Sequence, residues 1–183
     1  MPNIKVPSID QVDAKAQGIF NNLKSALGIV PNIYATIGYS SNTLEAYLQY
    51  DKALEKGSFS KKETEAINLI VSQVNGCEYC LAAHTAIAQM NGYSKEDTIA
   101  IRTANLEDQK IQTIIKTAQA IAIQKGNIND DIKTAFFNLG YGPKEFVELI
   151  AIVNAISFTN FIHNATKVPV DFPTAPLIET IEI

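Results

Sequence analysis

The sequence predicts an all-α fold. Apolar residues recur every three or four positions along most of the 183 residues, and glycine and proline fall between these periodic segments. No stretch alternates between apolar and polar residues as a half-buried strand does. With 46% hydrophobic residues, the chain can bury a sizeable core. We therefore expect a single domain over residues 1–183, with its core at about 40–125.

Eight helices are predicted, joined by short connectors. Their approximate ranges are 9–27, 44–57, 61–75, 77–90, 95–103, 107–125, 129–139 and 143–165. The first is amphipathic and ends at Gly28. Ser60 and Glu63 have the spacing of a capping box in front of the third helix. The segment VPNIYATIGYSS, residues 30–41, is expected to be a loop with one short helix.

The two ends of this helical series differ from the rest. The helix at 143–165 is apolar nearly all round, which predicts burial at the centre of the domain or at a contact between subunits. The tail VPVDFPTAPLIETIEI, residues 168–183, contains three prolines and is expected to be extended.

Charge and hydropathy exclude several classes of partner. The formal net charge is −4 and Arg102 is the single arginine, so no basic stripe for nucleic acid is expected. The N-terminal MPNIKVPSIDQVDAK lacks the apolar core of a signal peptide. Glu148 and Asn154 interrupt the most apolar later run, FVELIAIVNAISF. We expect a cytoplasmic protein that binds neither nucleic acid nor a membrane.

The stretch NGCEYCLAAHTAIAQMNG, residues 75–92, contains both cysteines and one of the two histidines. Cytoplasmic thiols are normally reduced, so a CxxC pair indicates redox chemistry or metal binding. On a helix, Cys77, Cys80 and His84 share one side, and His84 lies one turn beyond Cys80. Cysteines three residues apart on a helix can form a disulfide, and the first turn favours their reactive thiolate form.

Glu65 lies on the preceding helix, opposite its apolar stripe. If the chain reverses at Gly76, Glu65 and His84 come level on the two helices. A carboxylate there would hold the imidazole in the tautomer that accepts a proton from Cys80. A solvated glutamate is the simpler alternative.

Other interpretations of these residues stay open. The cysteines could be two small buried apolar residues, and Cys77, Cys80, His84 and Glu65 could together bind zinc. A c-type haem is excluded because Leu81, not histidine, follows the second cysteine, and no βαβ pattern supports a thioredoxin fold.

The spacing of glutamate, eleven residues, CxxC, three residues and histidine resembles the signature of the alkylhydroperoxidase D-like (AhpD-like) branch of the carboxymuconolactone decarboxylase family. The phrase FSKKETEAINLIVSQVNGCEYCLAAHTAIA is similar to the core of that family, and GIVPNIYATIG and VPVDFP resemble the flanks of its peroxidase-related members. The resemblance covers most of the chain.

The resemblance implies an all-helical fold, assembly as a trimer or hexamer, and a thiol peroxidase that uses no metal or haem cofactor. Cys80 would attack the peroxide, Cys77 would resolve the product as a disulfide, and His84 and Glu65 would relay protons. The substrates would be hydrogen peroxide and alkyl hydroperoxides, and the electrons would come from an external dithiol such as a lipoyl group. The best-known member has a histidine where this chain has Tyr79, and a phenol is a poor base at neutral pH.

Two alternatives accompany this expectation. A lyase of the carboxymuconolactone decarboxylase type would not depend on the cysteine pair. A non-enzymatic module could instead use the oxidation of Cys77 and Cys80 to change the packing of subunits.

Overall fold

The computed structural model describes residues 4–178, and its regular elements are all helices, which confirms the predicted all-α fold. In chain order they are a 3-10 helix (Ile9–Gln11), α1 (Ala14–Leu27), α2 (Asn32–Ile37), α3 (Ser41–Leu54), α4 (Lys61–Val74), α5 (Glu78–Met90), α6 (Lys95–Arg102), α7 (Gln109–Gln124), α8 (Asp130–Phe137) and α9 (Pro143–Thr166). Helix α2 is the short helix expected within 30–41. The helices predicted after residue 44 correspond to α3–α9 to within a few residues.

The predicted start of the first helix is wrong. Val12 is extended, with φ −120° and ψ 161°, and α1 begins only at Ala14. The Asp13 carboxylate accepts a hydrogen bond of 2.8 Å from the Ala16 N–H, so Asp13 caps the helix. Ile9 is 50% exposed. The apolar spacing therefore continues past the N-terminal end of the helix, and the cap decides where the helix begins.

Capping boxes begin two of the central helices, α4 as predicted and also α6. The Ser60 N–H donates to the Glu63 carboxylate at 2.8 Å, and the Glu63 N–H donates to the Ser60 hydroxyl at 3.2 Å. Ser94 and Asp97 exchange the same pair of bonds at 2.8 and 2.9 Å. Each box satisfies backbone donors that a first helical turn leaves without a partner.

Helix α4 is the central element of the fold, because α5, α6, α7 and α9 all pack against it. Of the apolar stripe predicted from Ile67, Ile70, Val71 and Val74, the first three residues are fully buried and Val74, in the last turn, is half-buried. The opposite side, which carries Glu65 and Ser72, is buried as well. Polar groups on this helix therefore need protein partners, since water does not reach most of them.

Between α4 and α5 the chain reverses at Gly76, which has φ +63°. The Cys77 N–H donates to the Ser72 carbonyl at 3.0 Å and the Gly76 N–H donates to the Gln73 carbonyl at 3.2 Å. This is a Schellman motif, in which a left-handed residue ends a helix. The predicted helix hairpin with the CxxC pair at its turn is confirmed.

Helix α9 has two different sides. Among residues 4–178 it is the one helix long and apolar enough to cross a membrane, but 44% of its most apolar window is buried inside the protein. Leu149 is fully buried, whereas Val147 and Phe161 are 64% and 60% exposed. A core helix passes the same test of length and composition. The expectation that the protein binds no membrane stays a prediction.

The C-terminal segment 168–178 has no regular secondary structure and is bound to the start of α2. The Asn32 N–H donates to the Asp171 carboxylate at 2.8 Å, and the Asn32 side-chain amide donates to the Pro169 carbonyl at 3.1 Å. Asp171 thus satisfies a free donor in the first turn of α2. The tail predicted to be extended also included residues 179–183, which lie outside the described residues, as do residues 1–3.

We expect Gly76→Ala to lower the free energy of unfolding by about 1 kcal/mol, because a side chain in the left-handed region is strained. No atom lies within 4 Å of the position that a Cβ would take, so strain is the only cost. Gly18→Ala, an exposed change inside α1, is the matched control and should stabilise by roughly 0.5–1 kcal/mol. Urea denaturation measures both variants, and equal effects of the same sign would contradict the turn argument.

Candidate active site

The two cysteines lie at the start of α5. Cys77 is the N-cap residue, with φ −90° and ψ 98°, and its sulfur accepts a hydrogen bond of 3.2 Å from the Cys80 N–H. The sulfurs form a disulfide, with the Cα atoms 5.4 Å apart. Cys77 is fully buried and Cys80 is 3% exposed. A sulfur at a helix N-terminus is stabilised as a thiolate by the free N–H groups and the helix dipole.

Glu65 and His84 meet across the α4–α5 hairpin, as the sequence predicted. Glu65 Oε2 and His84 Nδ1 are 2.7 Å apart, and their side chains are 12% and 20% exposed. Nδ1–H donates to the carboxylate, which leaves Nε2 as the ring atom that accepts a proton. The solvated alternative for Glu65 is therefore wrong.

A third side chain, Asn68, holds this pair from the next turn of α4. Its amide nitrogen donates to Glu65 Oε1 at 3.4 Å and lies 3.4 Å from His84 Nδ1. Sequence analysis missed Asn68, although its position three residues after Glu65 places it on the same helix face. Ser72, two turns after Glu65, does not bond the carboxylate, and its hydroxyl accepts a hydrogen bond of 3.1 Å from Asn160.

The pKa of His84 is raised. Burial disfavours the charged ring, but the attraction and hydrogen bond of Glu65, together with the attraction of Asp51, outweigh that cost. The imidazolium is therefore the form that this site stabilises. His163, near the end of α9, shows the opposite shift, because burial and the nearby charge of Lys167 lower its pKa. Sequence analysis left His163 out of the site.

Thr159 on α9 lies next to the second cysteine. Its Oγ1 is 3.9 Å from Cys80 Sγ, and its hydroxyl donates to the Ile156 carbonyl at 3.0 Å. Once the disulfide is reduced, the threonine oxygen can accept a hydrogen bond from the Cys80 thiol. No pattern in the sequence connects the two residues, because 79 positions separate them.

A cavity of about 710 Å³ opens beside these groups. Cys80, His84 and Glu65 all line it, whereas Cys77 does not. Most of the other lining residues are apolar, and they include the aromatic side chains Tyr34, Tyr47, Phe59 and Phe172. The cavity has the size and apolar character of a site for a small organic molecule. Of the two cysteines, only Cys80 lines this space.

Tyr79, between the cysteines, is a packing residue. It is 2% exposed, its ring contacts those of His163 and Phe172, and its hydroxyl accepts a hydrogen bond of 3.3 Å from the Ile33 N–H. Burial and a hydrogen bond to Asp171 raise its pKa well above the usual value. A phenol held in this way cannot serve as a base at neutral pH.

In the part of the chain that the structure describes, no three His, Cys, Asp or Glu side chains are grouped so that they could hold a metal ion. The zinc interpretation of the cysteines, His84 and Glu65 therefore gains no support from the geometry.

Residues 41–122 match the model of the carboxymuconolactone decarboxylase family. The match covers slightly less than half of the chain and supports its assignment to this family. The matched segment includes α3–α6 and most of α7, and with them Glu65, both cysteines and His84. The uncharacterized protein YdfG of Bacillus subtilis (strain 168) is 22% identical over 122 residues, which cover 65% of this chain and 83% of YdfG.

Solved structures share the fold. The alkylhydroperoxidase AhpD core of an uncharacterized peroxidase-related protein from Ralstonia eutropha JMP134 has a TM-score of 0.78 and 20% identity, over 90% of this chain and 91% of that one. A cysteine-to-alanine variant of the debrominase Bmp8, in complex with 2,3,4-tribromopyrrole, has a TM-score of 0.77 and 16% identity, over 93% and 92%. At these identities the likeness establishes the fold alone, and the predicted AhpD-like fold is confirmed.

We expect Glu65→Gln to lower the pKa of His84, because a neutral amide removes the attraction that favours the imidazolium. An NMR titration of the two histidine rings measures this, and the pKa of His163 should stay unchanged as an internal control. In the parent protein the Glu65–His84 pair contributes its full stabilisation of the fold when the pH is below the ordinary histidine pKa of about 6.5. This contribution is lost as the pH rises through the raised pKa of His84. An unchanged His84 titration in the variant would contradict the proposed interaction.

Proposed function

We propose that this protein is a thiol-dependent peroxidase that reduces hydrogen peroxide or alkyl hydroperoxides through Cys80 and Cys77. The observation that carries the proposal is that Cys80, but not Cys77, lines the same cavity as the Glu65–His84 pair. The match of residues 41–122 to the model of the carboxymuconolactone decarboxylase family and the AhpD-like fold support it.

The first half of the reaction oxidises Cys80. The ring of His84 accepts the thiol proton, and Glu65 stabilises the imidazolium that results. The thiolate attacks the hydroperoxide and breaks the O–O bond, so Cys80 becomes a sulfenic acid. The leaving alkoxide takes the proton from His84 and departs as the alcohol.

The second half restores the thiols. The Cys77 thiol attacks the sulfenic sulfur, and a disulfide and one water molecule form. The Cα separation of 5.4 Å allows this bond without rearrangement of the helix. An external dithiol, a lipoyl group or a similar carrier, then donates two electrons and two protons and leaves as its own disulfide. We propose no metal or haem cofactor, because sulfur chemistry alone completes the cycle.

Single-cysteine variants test the assignment. One equivalent of cumene hydroperoxide should consume both thiols of the reduced protein. In Cys77→Ser it should consume one thiol and leave a sulfenic acid that dimedone traps, because the resolving thiol is absent. Serine is a good N-cap, so α5 should form in this variant. Turnover with a dithiol donor should be abolished in Cys80→Ser, and full turnover there would refute the proposal.

A second candidate is the removal of bromine from an aromatic ring, which the debrominase neighbour and the aromatic side chains in the cavity lining favour. Two thiols would supply the electrons, with the arene, bromide and a disulfide as products. Bromide release from 2,3,4-tribromopyrrole, measured beside hydroperoxide consumption, separates the two reactions. A lyase reaction on a lactone would survive alkylation of both cysteines, whereas neither thiol reaction would.

We also propose that the protein is cytoplasmic, where reductants keep thiols reduced, and that it assembles as a trimer or hexamer. The exposed apolar side chains of α9, Val147 and Phe161 among them, support self-association. Light scattering should give three or six times the chain mass of 20.0 kDa in both the reduced and the oxidised protein. A change of oligomer on oxidation without turnover would favour a redox-responsive module instead.

A further inference from the structure

The charged side chains that line the cavity are unevenly paired. Glu65 and His84 form an ion pair with each other. Glu55 and Lys61 are both exposed and carry opposite charges. The remaining charged group is Asp51 of α3, for which the described residues provide neither a hydrogen bond nor an ion pair. With the other groups balanced in this way, the cavity wall carries a net charge of about −1 when Asp51 is ionised.

The field of Asp51 reaches the reactive groups. Burial raises its pKa, the charge of His84 works against that rise, and Glu55 and Glu65 add to it. Asp51 in turn contributes to the raised pKa values of His84, Tyr34 and Tyr47, in each case behind a larger effect. These groups therefore share one poorly solvated compartment, where a charge acts over a longer range than in bulk water.

The size of the cavity indicates the size of its ligand. Its volume of about 710 Å³ is many times the space of roughly 30 Å³ that one water molecule occupies in the liquid. Hydrogen peroxide, which is little larger than water, would leave most of this space and its apolar lining without contact. An organic molecule with a sizeable apolar part would fill the space and bury that lining.

We propose that the cavity selects a bulky organic hydroperoxide that is uncharged or cationic, and that the Asp51 carboxylate excludes anions such as fatty-acid hydroperoxides. The choice of hydroperoxide as reacting group depends on the proposed function, whereas the charge preference does not. Asp51 acts as a specificity residue, because it repels a negative charge that approaches Cys80 and attracts a positive one.

A pair of thiol reagents of opposite charge measures this preference without any peroxidase activity. In reduced Cys77→Ser protein, the Cys80 thiolate attacks a methanethiosulfonate, forms a mixed disulfide and expels methanesulfinate. The rate with the trimethylammonium-ethyl reagent is divided by the rate with the sulfonato-ethyl reagent, and this ratio is normalised to the ratio for 2-mercaptoethanol. The fraction of Cys80 present as thiolate cancels, because both reagents attack the same sulfur.

In the Asp51→Asn variant the ratio should fall roughly five- to thirtyfold, since the unit charge that is removed acts in the same cavity on reagents of opposite sign. Asp51→Glu keeps the charge and should keep the ratio. Asp131→Asn, the same change at an exposed position of α8, is the matched control and should leave the ratio unaltered. Asp51→Ser replaces Asp51→Asn if the latter does not fold. An equal ratio in the parent and the neutral variants would overturn the proposal.

Linoleic acid hydroperoxide and its methyl ester test the same preference in the proposed reaction. Cys80 of the parent protein should be oxidised faster by the ester than by the acid, and Asp51→Asn should reduce the difference between these two rates. If neither hydroperoxide oxidises Cys80 while the reagent ratio still depends on Asp51, the peroxidase function fails and the charge preference stands. Suppose that both hydroperoxides react and that Asp51→Asn changes neither the ratio of their rates nor the ratio of the two reagent rates. The charge preference then fails and the peroxidase function stands.

Discussion

The ion pair between Glu65 and His84 is the interaction on which the site depends. A carboxylate and an imidazole on separate helices can lie 2.7 Å apart only if α4 and α5 fold back on each other in one register. Gly76 supplies the reversal through its left-handed backbone, and Asn68 fixes the carboxylate from the same helix. The same reversal makes Cys77 the N-cap of α5. One turn thus orients the proton acceptor and places the sulfurs at a helix N-terminus.

The burial of α4 explains why a charged pair persists in this place. Four helices surround α4, so Glu65 is screened from most of the solvent, and an unpaired carboxylate there would be costly. The pair relieves this cost and raises the pKa of His84. The cavity adds a second influence, since Asp51 of α3 lines the same open space. Stability and reactivity of the site therefore depend on the same few charges.

Local signals made much of this fold predictable. Capping boxes, left-handed glycines and apolar periodicity are properties of short segments, and they located α3–α9 to within a few residues. The spacing of Glu65, the cysteines and His84 was also readable, because one hairpin carries all four. Asn68 could have been found on the helix face of Glu65. Thr159 and Asp51 reach the site only through the packing of α9 and α3, and the periodicity of a single helix carries no information about that packing.

The carboxylate of Asp171 has a consequence for how this protein is handled. Helix α2 has six residues, too few to be stable in isolation, and its first turn is satisfied by a side chain from 139 positions further along the chain. The same segment brings Phe172 against Tyr79, the residue between the cysteines. A shortened C-terminus, or a bulky fusion partner close to residue 171, would loosen a wall of the cavity while every catalytic candidate stayed intact. An inactive preparation of that kind would reflect the loss of the contacts that Asp171 and Phe172 make. Expression variants should therefore leave this end of the chain native.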